Sequence, residues 1–301
     1  MKGCRLIEIG SSALRVTVLP EVGGKIAQIR DLESSHDLLI GPRRPYRTIP
    51  MDGDWLQHDT SGMDDCFPNV AQGMYPQSPW ASTHFPDLGE WTHGTWEVAY
   101  AGPDRIVLER YGSALPYFAT KTVRLADERS LELSYAVENR GEAPFRYLWS
   151  AHPLISVPDS FRLEVPDGTL AFRTFPHDGE VRRWPMYQGV DLSREWIPQG
   201  ENLKVFVTGM TEGWCALHLP LHSLRFTFDL ESIPVLGVWF NNLGFPSGGE
   251  RFRCVAVEPC TSPSDLLDEL APSAYPLLRP GEQARWWLRV QVLRNGSAET
   301  E

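Results

Sequence analysis

Glu258 and His152 are the residues whose type and setting best suit acid–base chemistry. In Val255-Ala256-Val257-Glu258-Pro259-Cys260-Thr261, alternation puts Val255 and Val257 on one strand face and Ala256 and Glu258 on the other. Pro259 removes a ladder donor, so the strand is expected to end there with Glu258 at its mouth. A carboxylate beside a turn is placed to face a ligand; the same position also suits a surface glutamate that closes a strand. His152, in Ser150-Ala151-His152-Pro153-Leu154, is held extended by the following proline, which fixes the direction of its ring. It reads either as a general acid, because imidazole titrates near neutral pH, or as a strand-end histidine bonded to backbone.

Other candidates sit in an irregular stretch from Gly41 to Trp96, where Pro, Gly, Asp and aromatic residues mix without periodicity. Long irregular segments inside domains tend to be functional, and this one carries His84 and His93. Its acidic residues, Asp52, Asp54, Asp59, Asp64 and Asp65, miss the calcium-loop pattern, so most read as solvated loop carboxylates. His218-Leu219-Pro220-Leu221-His222 has the offset of a helical metal pair, but Pro220 breaks the helix such a pair needs. Cys254 and Cys260 lack zinc-knuckle spacing. No Gly-x-Ser-x-Gly elbow and no cysteine–histidine protease signature is present. No metal site is expected.

These residues must be carried by strands. Leu14–Leu19, Lys25–Leu32, Ile106–Tyr111, Phe118–Leu125 and Ser130–Glu138 are rich in β-formers. The last alternates cleanly, with Leu131, Leu133, Tyr135 and Val137 opposite Glu132, Ser134 and Glu138. Leu224, Phe226 and Phe228, and Trp286, Leu288, Val290 and Val292, repeat the pattern. The best helix signal is Ser262 to Glu269, with Ser262 as cap and Pro263 at the first position. Many short strands joined by turns predict an all-β sandwich or barrel. Turns are spread evenly and no linker divides the chain, so one domain over residues 1–301 is expected.

Composition narrows the function classes. The net charge is −11, from 28 Lys+Arg against 39 Asp+Glu, without a dense basic run; neither nucleic acid nor an anionic membrane is an expected partner. No apolar run has the length of a membrane span, and the start of the chain lacks a signal-peptide core. Five irregularly spaced cysteines suit reduced thiols, and a cytoplasmic protein is expected. Eleven tryptophans suit either carbohydrate surfaces or a thick sandwich core.

At this point the chain resembles a family. The histidine-proline after a tryptophan-bearing strand, and Leu236-Gly237-Val238-Trp239-Phe240-Asn241 leading into Val257-Glu258-Pro259-Cys260, resemble the aldose 1-epimerases (galactose mutarotases and their relatives). Asp64-Asp65-Cys66-Phe67-Pro68 and Pro86-Asp87-x-Gly89-Glu90 before Trp96 are similar to bacterial members. The resemblance runs in order from Gly23 to about Leu270. It implies a large antiparallel β-supersandwich with few short helices, and interconversion of the α and β anomers of a hexose or related sugar without metal or organic cofactor. It implies Glu258 as catalytic carboxylate and His152 as catalytic histidine. Asp64, Asp65, His84, His93, Trp91, Trp149 and Trp239 are candidate sugar contacts, in a monomer or homodimer. Relatives carry a histidine where this chain has Leu88, and His93 or His84 is expected to replace it. A hexose-6-phosphate epimerase, with Arg43 and Arg44 as phosphate ligands, and a non-catalytic sugar-binding sandwich are the alternatives.

Overall fold

Alternation of buried and half-buried residues along Tyr117–Asp127 and Ser130–Asn139 pairs these two strands antiparallel, with Val123 opposite Leu133. The same period-2 pattern builds the whole molecule. In the computed structural model, which describes residues 4–168, 170–247 and 250–295, the strands gather into two large antiparallel sheets. One has eleven strands and includes, side by side, Lys25–Asp31, Met63–Cys66, Ser150–Ile155, Arg253–Cys260, Val235–Asn242 and Glu201–Thr208. The other has eight, among them Gln283–Arg294, Ser130–Asn139 and Tyr117–Asp127. The chain crosses repeatedly between them, so neither sheet is a separate unit.

The first sheet has two different faces. Val238, Val255, Val257 and Val205 are fully buried in the main apolar core, together with Leu133, Val137 and Leu288 of the second sheet. Trp91, Trp149 and Trp286 belong to the same core, with Trp91 stacked on Phe67 at 4.6 Å and Tyr135 tilted against Trp149 at 5.0 Å. Fully burying each indole contributes at most roughly 4–6 kcal/mol, so these rings are framework. Asp65 also turns inward, accepting from the Tyr135 hydroxyl at 2.7 Å and pairing with Lys121 at 2.5 Å. The opposite face presents Asp64, His152, Glu258, Trp239 and Lys204.

Two expectations about local structure change. Residues Ser262–Glu269 form turns and bends rather than a helix. The Ser264 hydroxyl binds Leu266 and Glu269, and the Asp265 side chain is drawn to Lys204. Pro259 does not end its strand, because Arg253–Cys260 continues through it with Leu236 opposite Pro259. Glu258 therefore lies at 0% exposure within the sheet, not at a strand mouth. Helix is confined, among the described residues, to Gly89–Thr92 and the single turns Trp55–Gln57 and Pro272–Ala274.

Candidate active site

Strand register brings the chemistry together. Ser150 pairs with Cys260 and Leu154 with Ala256, and that register sets His152 opposite Glu258. On its other side His152 pairs with Asp64, and Glu258 pairs with Gly237, which pairs with Phe206. One row across the sheet thus reads Asp64, His152, Glu258, Gly237, Phe206. Between His152 and Glu258 the ladder is interrupted beside Pro153 and Pro259, which have no N–H to give it. Gly237 keeps the row open: a Cβ there would lie 3.2 Å from Glu258 Cβ. The Phe206 ring borders that space, with Cε1 3.5 Å from where a Cβ would lie, and Lys204, two residues before Phe206 and on the same face, reaches Glu258.

The Lys204 ammonium lies 2.8 Å from Glu258 Oε2 and 2.7 Å from Asp265 Oδ1. Ser150 Oγ donates to the same Glu258 oxygen at 3.3 Å. Glu258 Oε1 has no hydrogen-bond partner among the described residues and stands 3.9 Å from His152 Nε2. The two oxygens of one carboxylate are therefore distinct: one is held, the other is free. Burial pushes the Glu258 carboxyl above the usual range while Lys204 pulls it back. Burial opposes the charge of Lys204, but Asp265 and Glu258 outweigh it and hold the ammonium above the ordinary lysine range. His152, also buried, is pushed down to about 3 by burial and by the Lys204 charge. It is neutral at physiological pH and can give or take a hydrogen bond but carries no charge.

These groups line a cavity of about 270 Å³, walled by Trp55, Val70, Leu88, Phe245 and Trp239, with Asp87, Asn202 and Asp265 as further polar groups. That is close to the lower end of the roughly 300–1,000 Å³ usual for small-molecule pockets. Trp239 lies nearly parallel to His152 at 6.0 Å and Trp55 meets the imidazole edge-on at 5.9 Å. Apolar rings and charged oxygens in one cavity suit a ligand with a C–H face and many hydroxyls.

Leu88 lines this cavity, so the apolar residue stands in the pocket itself. Its backbone is left-handed, φ 61°, and Gly89 follows at φ 72°. A side chain in that region costs about 1–2 kcal/mol. Neither expected replacement for the missing histidine is there. His93 is buried elsewhere, with Nδ1 at 2.9 Å from the Gly89 carbonyl and 2.8 Å from the Thr92 hydroxyl, and Nε2 at 3.3 Å from the Gly53 carbonyl. It lines a separate depression with Met51 and Arg110. His84 is exposed on the short strand His84–Phe85, opposite Met74. Trp91 and Trp149 are in the core, Asp65 faces Tyr135 and Lys121, and Asp64 is taken up by Lys25 at 2.9 Å. None of these four walls the cavity. Of the residues singled out from sequence, Glu258, His152 and Trp239 meet there; Lys204, Asp265, Asp87, Asn202 and Trp55 join them unforeseen. Arg43 and Arg44 line a neighbouring depression of about 200 Å³ with His58 and Glu250.

No protein-family model matches the sequence, and no curated protein matches it closely. Solved structures match the fold over nearly the full length. A Synechocystis sp. PCC 6803 protein superposes with a TM-score of 0.74 at 15% identity, covering 98% of this chain and 97% of that one. An Escherichia coli K12 protein provisionally described as an aldose 1-epimerase gives 0.74 at 15%, covering 97% and 100%. A galactose mutarotase-like protein from Lactobacillus casei gives 0.70 at 16%, covering 96% and 100%. The fold is that of the galactose mutarotase-like proteins. Among the described residues no helix is long and apolar enough to cross a membrane.

Proposed function

We propose that the protein is an aldose 1-epimerase-like isomerase that interconverts the anomers of a hexose or related sugar. The observation that carries this reading is the asymmetric carboxylate of Glu258, fixed through one oxygen by Lys204 and free at the other. The free oxygen takes the proton of the anomeric hydroxyl while a protonated acid in the cavity gives one to the ring oxygen as its bond to C1 breaks. The C1–C2 bond of the open aldehyde then rotates, and the ring closes on either face. His152, neutral beside Glu258, serves as a hydrogen-bond partner that orients the sugar at C1. Trp239 and Trp55 cover its apolar face. No step needs a metal or an organic cofactor.

The direct test is exchange between the C1–H signals of the two anomers by NMR, for glucose, galactose and glucose 6-phosphate. Faster exchange of an unphosphorylated sugar with catalytic amounts of protein supports the proposal. Line broadening from binding without faster exchange would make the protein a sugar-binding sandwich. Acceleration confined to the phosphorylated sugar would favour the hexose-6-phosphate alternative. Arg43 and Arg44 bond Thr60 and the Leu56 carbonyl, each at 3.0 Å, beside the Trp55 wall.

A further inference from the structure

The cavity holds three carboxyl side chains, Glu258, Asp265 and Asp87, and one lysine. Lys204 bonds the first two, and Asp87 has no ion pair among the described residues. Asp87 is presented by a turn that cannot relax outward. Leu88 N–H donates to the Val70 carbonyl at 2.6 Å. Gly89 fits so closely that a Cβ would meet the Phe67 carbonyl oxygen at 2.3 Å. The left-handed pair Leu88-Gly89 is therefore pinned on both sides, and it sets Asp87 and Leu88 together in the cavity wall.

We propose that Asp87 is the acid of the anomerisation, protonating the ring oxygen in place of the donor that Leu88 cannot supply. This rests on the isomerase reading above. On opening, the proton of the anomeric hydroxyl passes to Glu258 and the Asp87 proton passes to the ring oxygen as its bond to C1 breaks. On closure the former ring hydroxyl attacks C1 from either face and returns its proton to Asp87, while Glu258 returns the other to the new anomeric oxygen. Protons balance over the cycle, and nothing is oxidised or reduced. The surroundings agree with this division of labour. Burial, then the charge of Asp265, pushes Asp87 up to about 6, against the pull of Lys204 and with a further push from Asp54. Asp265 is pushed up to about 6 as well, chiefly by burial, so the difference between the two lies in geometry: the Asp265 oxygen 2.7 Å from the ammonium favours its anion, which neutralises Lys204.

The experiment is the rate of anomerisation of α-glucose and α-galactose by polarimetry from about pH 5 to about pH 9, in the parent, Asp87→Asn, Asp87→Glu and Asp265→Asn. Melting temperature and sugar affinity are measured alongside. In the parent the rate falls about tenfold per pH unit on the alkaline side as the acid loses its proton. Asp87→Asn is isosteric and can still hydrogen-bond the ring oxygen, but lowers the maximal rate by roughly two orders of magnitude and flattens the alkaline limb. Asp87→Glu keeps that limb. Asp87→Asn with a near-parental rate and an intact limb overturns the proposal and leaves the isomerase reading standing. Loss of the limb in Asp265→Asn instead assigns the acid to Asp265 and also overturns it. A parent inert towards both sugars removes the isomerase reading, and the role of Asp87 with it.

Discussion

Two buried lysines on the same face of the same sheet make an informative pair. Lys25 bonds Asp59 at 3.2 Å, the Ser61 carbonyl at 2.7 Å and Asp64 at 2.9 Å. Those three acceptors use all three of its N–H bonds. Lys204 bonds Glu258 at 2.8 Å and Asp265 at 2.7 Å, and its third N–H has no acceptor among the described residues. Lys25 is 1% exposed, whereas Lys204 is 8% exposed at a cavity wall. Both answer the same electrostatic problem, a buried ammonium neutralised by two carboxylates. Each cluster keeps one carboxylate oxygen without a partner among the described residues, Asp59 Oδ2 in the first and Glu258 Oε1 in the second. Only the second also keeps an N–H donor and lies at a cavity wall, and that combination is what a polyhydroxylated ligand would use.

The largest effect expected from breaking this contrast is on stability. Lys25→Met leaves two buried carboxylates without their cation and should cost about 3–5 kcal/mol, read by denaturant titration, with the rate per folded molecule near the parent's. A comparable loss of rate at full folding would put Lys25 in the site and dissolve the contrast. Lys204→Met should act mainly on chemistry. Without the ammonium, Glu258 and Asp265 both rise further, so the acid limb of the pH–rate profile moves to higher pH. The rate at neutral pH should fall about tenfold or more. An unmoved limb would show that Lys204 does not set the ionisation of Glu258.

Trp239→Leu should weaken sugar affinity about fivefold to tenfold while leaving the maximal rate nearly unchanged, as expected for lost ring contact; the KM against kcat split reads it. The smallest effect lies at His222, which packs against His36 at 5.1 Å and feels Asp31. Burial, then His36, lowers it to about 4. As pH falls below about 6.5 the unfolded chain binds this proton first. Stability from this site is therefore full above that pH and is lost as pH falls towards 4. In His222→Phe, the drop in melting temperature between neutral and mildly acid pH should shrink; an unchanged drop would mean that His222 titrates normally.

The fold was legible because most strands have one apolar and one polar face, as Ser130–Asn139 does. Glu258 and His152 were legible through the ordered motifs around them, but their setting was not. Pro259 was read as a strand end, yet the interrupted ladder beside Pro153 absorbs both prolines and buries Glu258 inside the sheet. Lys204 left a faint signal: a lysine between Asn202 and Phe206 on one face of a strand whose other face is Leu203, Val205 and Val207. A lysine in that position asks for a buried partner. Its partner Asp265 was hidden by capping chemistry that suggested a helix. The path of the Gly41–Trp96 stretch depends on tertiary hydrogen bonds, such as His93 to Gly53. Spacing from Leu88 could not tell which histidine reaches the pocket, and neither does.

The central claim is that the free oxygen of Glu258 is the base of an anomerisation. Its most direct test is the decay of optical rotation of freshly dissolved α-galactose and α-glucose with the parent and with Glu258→Gln, an isosteric change that removes the proton acceptor. Catalysed decay with the parent, reduced by roughly two to four orders of magnitude in the variant with sugar affinity nearly kept, is the predicted result. Catalysed decay that survives Glu258→Gln, or a parent no faster than buffer, would contradict it.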